Sequence, residues 1–546
     1  MSATPIWFGP EDRALFGWLH VPEDGTPRGA VVLCPPIGYD YSCSHRTFRE
    51  LAERLAGVGL AALRFDYDGT GDSVGSDFDG DRCAAWHRSI ELAIAEVRGL
   101  GAPSVALVGM RLGALLAAQV ASASDVDALV LWDPVVTGKS FVRELRGLSF
   151  LIAGEGSSTP DDDPGAIWAF GRRFGADTVR DLRGAAVPDL ADAAFPVLLL
   201  HQAVDNAARE LAASLGPTAT VGDAVDQHRL LNGNSLNAVV PDAAVKRVVQ
   251  WLDDALPSAP AVPMAPSASG APVPVGRGLR EHTAPIGPIG LFGIITEGDV
   301  DPALPTLLLL NPGLESHLGP TRMWVDWGRE MATHGFRVAR VDQSGFGDSP
   351  TRAGRRPGRP YAAEAPTDIA EMVADLDTGA GVVLVGLCSG GRHAAEVAAR
   401  IAVRGICLLN PILHLPTWAL RRSTNELSGP PVLMVVQRSH GLRRRVAQAL
   451  PPRLAKLRRG VGSRLLRAAA RRGTDMFLAF GDEELSLFQL ADAPARLRSK
   501  GADIVVHVLP GLDHGVLRPG PRTRLFGLLT EHLMTTYVSA EAPAEG

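Results

Sequence analysis

Lysine is almost missing from this chain of 546 residues: it occurs only at Lys139, Lys246, Lys456 and Lys500, so nearly all of the 54 basic residues are arginine. Such a skew reads as codon usage, and a lone arginine carries little information. A basic excess is missing too. The formal net charge is -6, which argues against nucleic acid as a partner. The five cysteines (Cys34, Cys43, Cys83, Cys388 and Cys407) are scattered, with no CxxC pair. Neither structural zinc nor a disulfide framework is indicated, no metal or cofactor is expected, and a reducing cytoplasm is the expected compartment. No apolar run reaches membrane-spanning length, so no transmembrane segment is expected. The opening "MSATPIWFGPEDR" lacks the apolar core of a secretory leader. What is present, 46% hydrophobic and 21% charged residues, is ordinary globular composition, and the length calls for two domains or more.

Those domains read as repeats of one another. The stretch Leu256 to Gly278, "LPSAPAVPMAPSASGAPVPVGRG", has linker composition. On either side the same order of motifs occurs: "LAERLAGVGLAALRFDYDGTGDS" is answered by "WGREMATHGFRVARVDQSGFGDS". Gly69 corresponds to Gly345 and Gly109 to Gly386, offsets of 276 and 277 residues. A constant offset points to tandem domains, 1–255 and 279–538, joined by a linker over 256–278 and followed by a disordered tail over 539–546. Within each half, short runs apolar on both faces ("AVVLC", "VALVG", "PVLLLH") alternate with segments of helical pattern. That predicts α/β domains built on doubly wound parallel sheets. Ligands bind such sheets at the carboxyl ends of the strands.

One such end carries "VGLCSGGRH", Val385 to His393. Gly386 and Gly390 flank Cys388 at two residues on each side, the spacing that lets a backbone pass close to its neighbours at a sharp strand-to-helix turn. The pattern resembles the nucleophile elbow of α/β-hydrolases, with Cys in place of the usual Ser, as in dienelactone hydrolases and polyhydroxyalkanoate synthases. A buried structural cysteine would also satisfy the residue type, and Ser389 is a rival nucleophile, but only Cys388 has glycine at both flanking sites.

The resemblance implies a chain order of nucleophile, acid, base. His514, in "VLPGLDHGVL" after the last apolar run, falls where that fold carries its histidine. The acid is expected in "GDEEL", and counting from Gly481 favours Glu484 over Asp482 and Glu483. The Ser389 N–H and one from "NPGLE", Leu314, are the expected oxyanion donors.

The first half reads differently. Its elbow, "VGMRLG", has Arg111 at the nucleophile position, and Leu236 aligns with the histidine. Arginine stays protonated and cannot attack an acyl group. This elbow is similar to those of hydrolases associated with exosortase systems. The half reads as a degenerate, non-catalytic domain, with Asp205 or Asp133 as expected partners of Arg111; alternatively, Arg111 binds an anion. "GTGDSVG", Gly69 to Gly75, lacks dinucleotide-binding spacing and matches "GFGDS" in the second half.

A cap is expected over about 411–473. Within it, Ser439 to Gly473 holds ten Arg and Lys456 with no acidic residue. Such a cap suits an acidic partner, whether an acyl carrier protein, the phosphates of a coenzyme A thioester or an anionic membrane face; a merely solvated helical cap is the alternative. Acyl transfer through a Cys388 thioester is the expected activity, from a thioester or activated ester donor to a small nucleophilic acceptor. The alternatives are hydrolysis of an ester, lactone or thioester by the same residues, and a non-catalytic scaffold.

Overall fold

The computed structural model describes residues 2–153, 163–202, 205–231, 235, 238–256, 263–264, 271–413, 461–482, 484–485 and 504–538. The chain divides into two compact units, Met1–Gly276 and Arg277–Gly546.

The first unit is built on strands β1 (Ser2–Phe8), β2 (Leu15–Val21), β3 (Ala30–Cys34), β4 (Ala61–Phe65), β5 (Val105–Met110) and β6 (Ala128–Trp132). A small hairpin, β7 (Ile167–Ala169) and β8 (Arg172–Phe174), precedes β9 (Val197–His201) and β10 (Ala219–Asp223). The main sheet has the order β1-β2-β4-β3-β5-β6-β9-β10. Its first two pairings are antiparallel and the rest parallel. Successive side chains of a strand face opposite sides. Val31 and Leu33 therefore pack with Phe48, Leu51 and Val248 from helices Tyr39–Gly57 and Asp242–Ala255. Ala30 and Val32 pack with Ile90, Val97 and Leu115 from helices Arg82–Gly99 and Leu112–Ala121. Burial on both faces is why these strands are continuous apolar runs.

The short strand β11 (Val273–Gly276) lies within the proline-rich stretch read from sequence as linker. Met264, in the same stretch, is 4% exposed and donates its N–H to the Gly25 carbonyl at 2.9 Å. The stretch is thus partly structured: Val273 and Val275 supply β-branched residues, and Met264 packs into the first unit's core.

The second unit contains β12 (Leu279–Ile286), β13 (Leu291–Glu297), β14 (Thr306–Leu310), β15 (Val338–Val341), β16 (Val382–Leu387), β17 (Gly405–Leu409), β18 (Asp475–Phe480) and β19 (Ile504–Val508). They follow the order β12-β13-β15-β14-β16-β17-β18-β19. Again two antiparallel pairings are followed by parallel ones. Leu308, Leu384, Ile406 and Leu478 pack on one face with Ile369, Ala394 and Leu466, from helices Ala365–Leu376, Ser389–Ala398 and Val461–Ala470. In helices Met323–Ala332 and Pro519–Leu533, Trp327 stacks on Phe526 with ring centroids 5.6 Å apart. Of the expected cap, Pro411–Leu413 and the segment from Val461 are described; 414–460 lie outside the described residues, as do Leu236 and the tail 539–546. Among the described residues no helix is long and apolar enough to cross a membrane.

Candidate active site

β14, β16, β17, β18 and β19 are parallel, so the loops after them open at one edge of the sheet. Cys388 follows β16 directly and caps helix Ser389–Ala398, with φ 55° and ψ -113°. A non-glycine residue at positive φ costs about 1–3 kcal/mol and persists only where the surroundings impose it. Here the Cys388 N–H is tied to the Leu409 carbonyl at 3.0 Å, while its own carbonyl accepts from Arg392 N–H at 3.1 Å. The flanking glycines are steric necessities. A Cβ on Gly386 would stand 2.4 Å from the Gly390 carbonyl carbon, and one on Gly390 would stand 2.9 Å from the Asn311 carbonyl oxygen.

Glu484 and His514 come to this elbow from the loops after β18 and β19. His514 Nδ1 lies 3.0 Å from Glu484 Oε1. Asp482 points elsewhere, accepting the Gly511 N–H at 3.2 Å; Glu483 is outside the described residues. With Nδ1 engaged by Glu484, the other ring nitrogen of His514 is the one available to Cys388, whose charge acts on the imidazole.

The electrostatics follow from this contact. Burial opposes ionisation of Cys388, but the charge of His514 beside it outweighs that cost. The thiol is held below its ordinary value. Burial likewise disfavours a charged His514, yet Cys388 and then Glu484 overcome it and hold the imidazole well above its usual range. Both shifts run towards the charged forms, thiolate on Cys388 and imidazolium on His514.

The loop after β14 is pinned against the elbow. Gly313 N–H donates to Ser389 Oγ at 2.7 Å, so that N–H is already committed. Leu314, the next residue, is half-buried in this loop. Buried Asp342, just after β15, accepts from Asn311 Nδ2 at 2.9 Å and from the His317 N–H at 2.6 Å, and its other oxygen lies 2.9 Å from His317 Nδ1. Asn410, after β17 and fully buried, donates through Nδ2 to the carbonyls of Asp513 at 3.0 Å and His514 at 3.3 Å, and accepts the Gly481 N–H at 2.8 Å. One side chain thus ties the loop of the acid to the loop of the histidine. Sequence reasoning missed Asn311, Asp342 and Asn410. The recurrence of Asp66 at the offset of Asp342 was the available signal.

The corresponding turn of the first unit has the same backbone and different chemistry. Arg111 has φ 54° and ψ -122°. Its guanidinium lies 2.7 Å from Glu144, 3.4 Å from Asp40 and 3.9 Å from Asp133. Asp205, the other partner expected from sequence, instead caps helix Asn206–Ser214, accepting the Ala208 N–H at 3.2 Å. A short acidic side chain at a helix start is used by the open N–H groups there, which explains the difference. Three carboxylates around one guanidinium also oppose the anion site considered from sequence.

This architecture, with a nucleophile-type elbow at a central strand and histidine and acid on later loops, is that of the α/β-hydrolase fold. Residues 307–526, which hold Cys388, Glu484 and His514, match the model of the Alpha/beta hydrolase family. Among solved structures, Est1E from Butyrivibrio proteoclasticus is 18% identical, with a TM-score of 0.34, over 46% of this chain and 98% of its own. An esterase domain from a Rhodothermus marinus protein is 19% identical, with a TM-score of 0.34, over 47% of this chain and 100% of its own. No curated protein matches the sequence.

Proposed function

We propose that the second unit transfers acyl groups through a thioester on Cys388, from a thioester or activated ester donor to a small nucleophilic acceptor. The observation that carries this reading is the convergence of Cys388, His514 and Glu484, with ionisation shifted towards a thiolate–imidazolium pair. The thiolate attacks the acyl carbonyl, and the oxyanion is held by the N–H groups of Ser389 and Leu314. As the tetrahedral adduct collapses, the donor's C–S or C–O bond breaks and His514 gives its proton to the leaving group. The acceptor then loses a proton to His514 and attacks the thioester. Collapse expels the Cys388 thiolate and restores the pair. Glu484 holds the imidazole in the required tautomer and offsets its charge.

Cysteine favours transfer because amines attack a thioester far more readily than an oxygen ester, whereas water discriminates little between them. Hydrolysis is the second reading, favoured by the family match over residues 307–526. Product identity separates the two: an acyl-thioester donor with a panel of amines and alcohols is expected to give acyl-acceptor products. Free acid alone, whatever the acceptor, would assign hydrolysis.

In this account the first unit is non-catalytic, since Arg111 occupies the nucleophile position within an ion-pair cluster. The basic stretch over 439–473, of which 439–460 lie outside the described residues, is proposed to dock an acyl carrier protein or coenzyme A thioester. Its described part carries Arg464, Arg471 and Arg472 at exposed positions. Donor KM should accordingly rise with ionic strength.

A further inference from the structure

Tyr361 lies before helix Ala365–Leu376, 4% exposed, and the mechanism above does not use it. Its hydroxyl oxygen stands 4.0 Å from Cys388 Sγ. Two contacts fix it there. Its ring leans on His393 with centroids 5.9 Å apart, and His393 Nε2 lies 2.8 Å from the carbonyl of the preceding Pro360. The helix that begins at the elbow therefore holds both the ring and the backbone of Tyr361.

We propose that the Tyr361 hydroxyl is a hydrogen-bond donor to the Cys388 sulfur and that it sets the ionisation of the nucleophile. The catalytic meaning of this inference rests on the acyl-transfer reading. A donor to the charged form lowers the pKa of an acid. Burial, and after it the charge of Cys388, holds the Tyr361 phenol well above its ordinary value, so it remains a donor throughout the working range. The groups that face the pair come from several elements. His514, backed by Glu484, and the Ser389 N–H face Cys388. Arg392, Glu396 and His393 of the elbow helix face Tyr361. Arg392 and Glu396 are paired to each other at 2.8 Å, so their effects on Tyr361 oppose.

A donor of this kind has a signature that ring packing does not. It enlarges the thiolate fraction at low pH but reduces the intrinsic reactivity of that thiolate, because nucleophilicity falls with pKa. The test is the pH profile of Cys388 alkylation by iodoacetamide in the full chain, followed by peptide mass, for wild type and Tyr361→Phe. Thiolate ultraviolet absorbance supplies an independent midpoint, and a thermal melt checks folding. The Phe variant is expected to have its midpoint about 0.5–1 pH unit higher. Its limiting rate at high pH should be up to about threefold faster, so that the two profiles cross. Superimposable profiles, or a downward shift, would overturn the proposal. Alkylation needs no acyl substrate, so a shifted midpoint in a protein that transfers no acyl group would sink the acyl-transfer reading and leave the role of Tyr361 standing.

Discussion

Glu484 Oε1 lies 3.0 Å from His514 Nδ1, and this contact leaves the other imidazole nitrogen for Cys388. The two neighbours of Glu484 in "GDEEL" offer the same charge, but Asp482 accepts a backbone N–H of the 511 turn instead. Glu484→Gln should therefore cost about 10²-fold or more in acylation rate. It should also lower the pKa of His514 and raise that of the thiol, moving the acylation profile to higher pH. Asp482→Asn should change the rate by less than about threefold, as expected of a surface hydrogen bond. Single-turnover acylation against pH, run on both variants, checks the assignment.

Asn410 joins the acid loop to the histidine loop without touching the reacting atoms. Removing its amide leaves the Gly481 N–H and the carbonyls of Asp513 and His514 without these partners. Asn410→Ala should destabilise the protein by about 1–3 kcal/mol. It should lower kcat by about 10-fold or more through misplacement of His514, with a smaller effect on KM. Denaturant unfolding and steady-state kinetics on one preparation separate the two effects.

The elbow glycines are tested through stability. With a Cβ only 2.4 Å from backbone, Gly386→Ala forces the turn apart. The expected loss is about 1–3 kcal/mol, measured by denaturant unfolding, with slower alkylation of Cys388 as the turn shifts.

Two carboxyls of the first unit tie its stability to pH. Burial raises Asp40 to about 6, with Arg111 opposing and Glu144 reinforcing the shift. Asp66 is also raised to about 6, by burial first and then by Asp72. Their ordinary value is 3.8. Between that value and about 6 the folded chain holds protons that the unfolded chain has released. Their contribution to stability is greatest near the lower end and is lost as pH rises through about 6. Unfolding free energy measured across this window should show that slope, and Asp40→Asn should flatten it while raising stability at neutral pH.

Arg111→Cys examines the first unit directly. It restores a thiol at the elbow but removes the cation from among Asp40, Asp133 and Glu144. No acyl adduct is expected at residue 111, because carboxylates around a thiol raise its pKa. An adduct there in the Cys388→Ala background would contradict a non-catalytic role.

How far the sequence spoke depended on the kind of interaction. The β-strands were legible because burial on both faces makes them continuous apolar runs, as in Ala30–Cys34 and Thr306–Leu310. The elbow was legible because its glycines are sterically required at fixed spacing. Glu484 was favoured by a count from Gly481, a local relation. The residues that sequence reasoning missed act across long separations. Asn410 reaches Asp513, Tyr361 reaches Cys388, and Asp40 and Glu144 enclose Arg111 from different helices. Nothing in the local pattern around a tyrosine or asparagine records which loop will fold against it.

The central claim is that Cys388 becomes acylated. Intact-protein mass after brief exposure to a panel of acyl thioesters and activated esters, on wild type, Cys388→Ala and His514→Ala, tests it directly. The account predicts one acyl mass on wild type, located at Cys388, none on Cys388→Ala, and an adduct formed at least about 10²-fold more slowly on His514→Ala. No adduct and no turnover on wild type across the panel, with Cys388 no more reactive to alkylation than the other cysteines, would contradict it and leave the non-catalytic scaffold as the account of this chain.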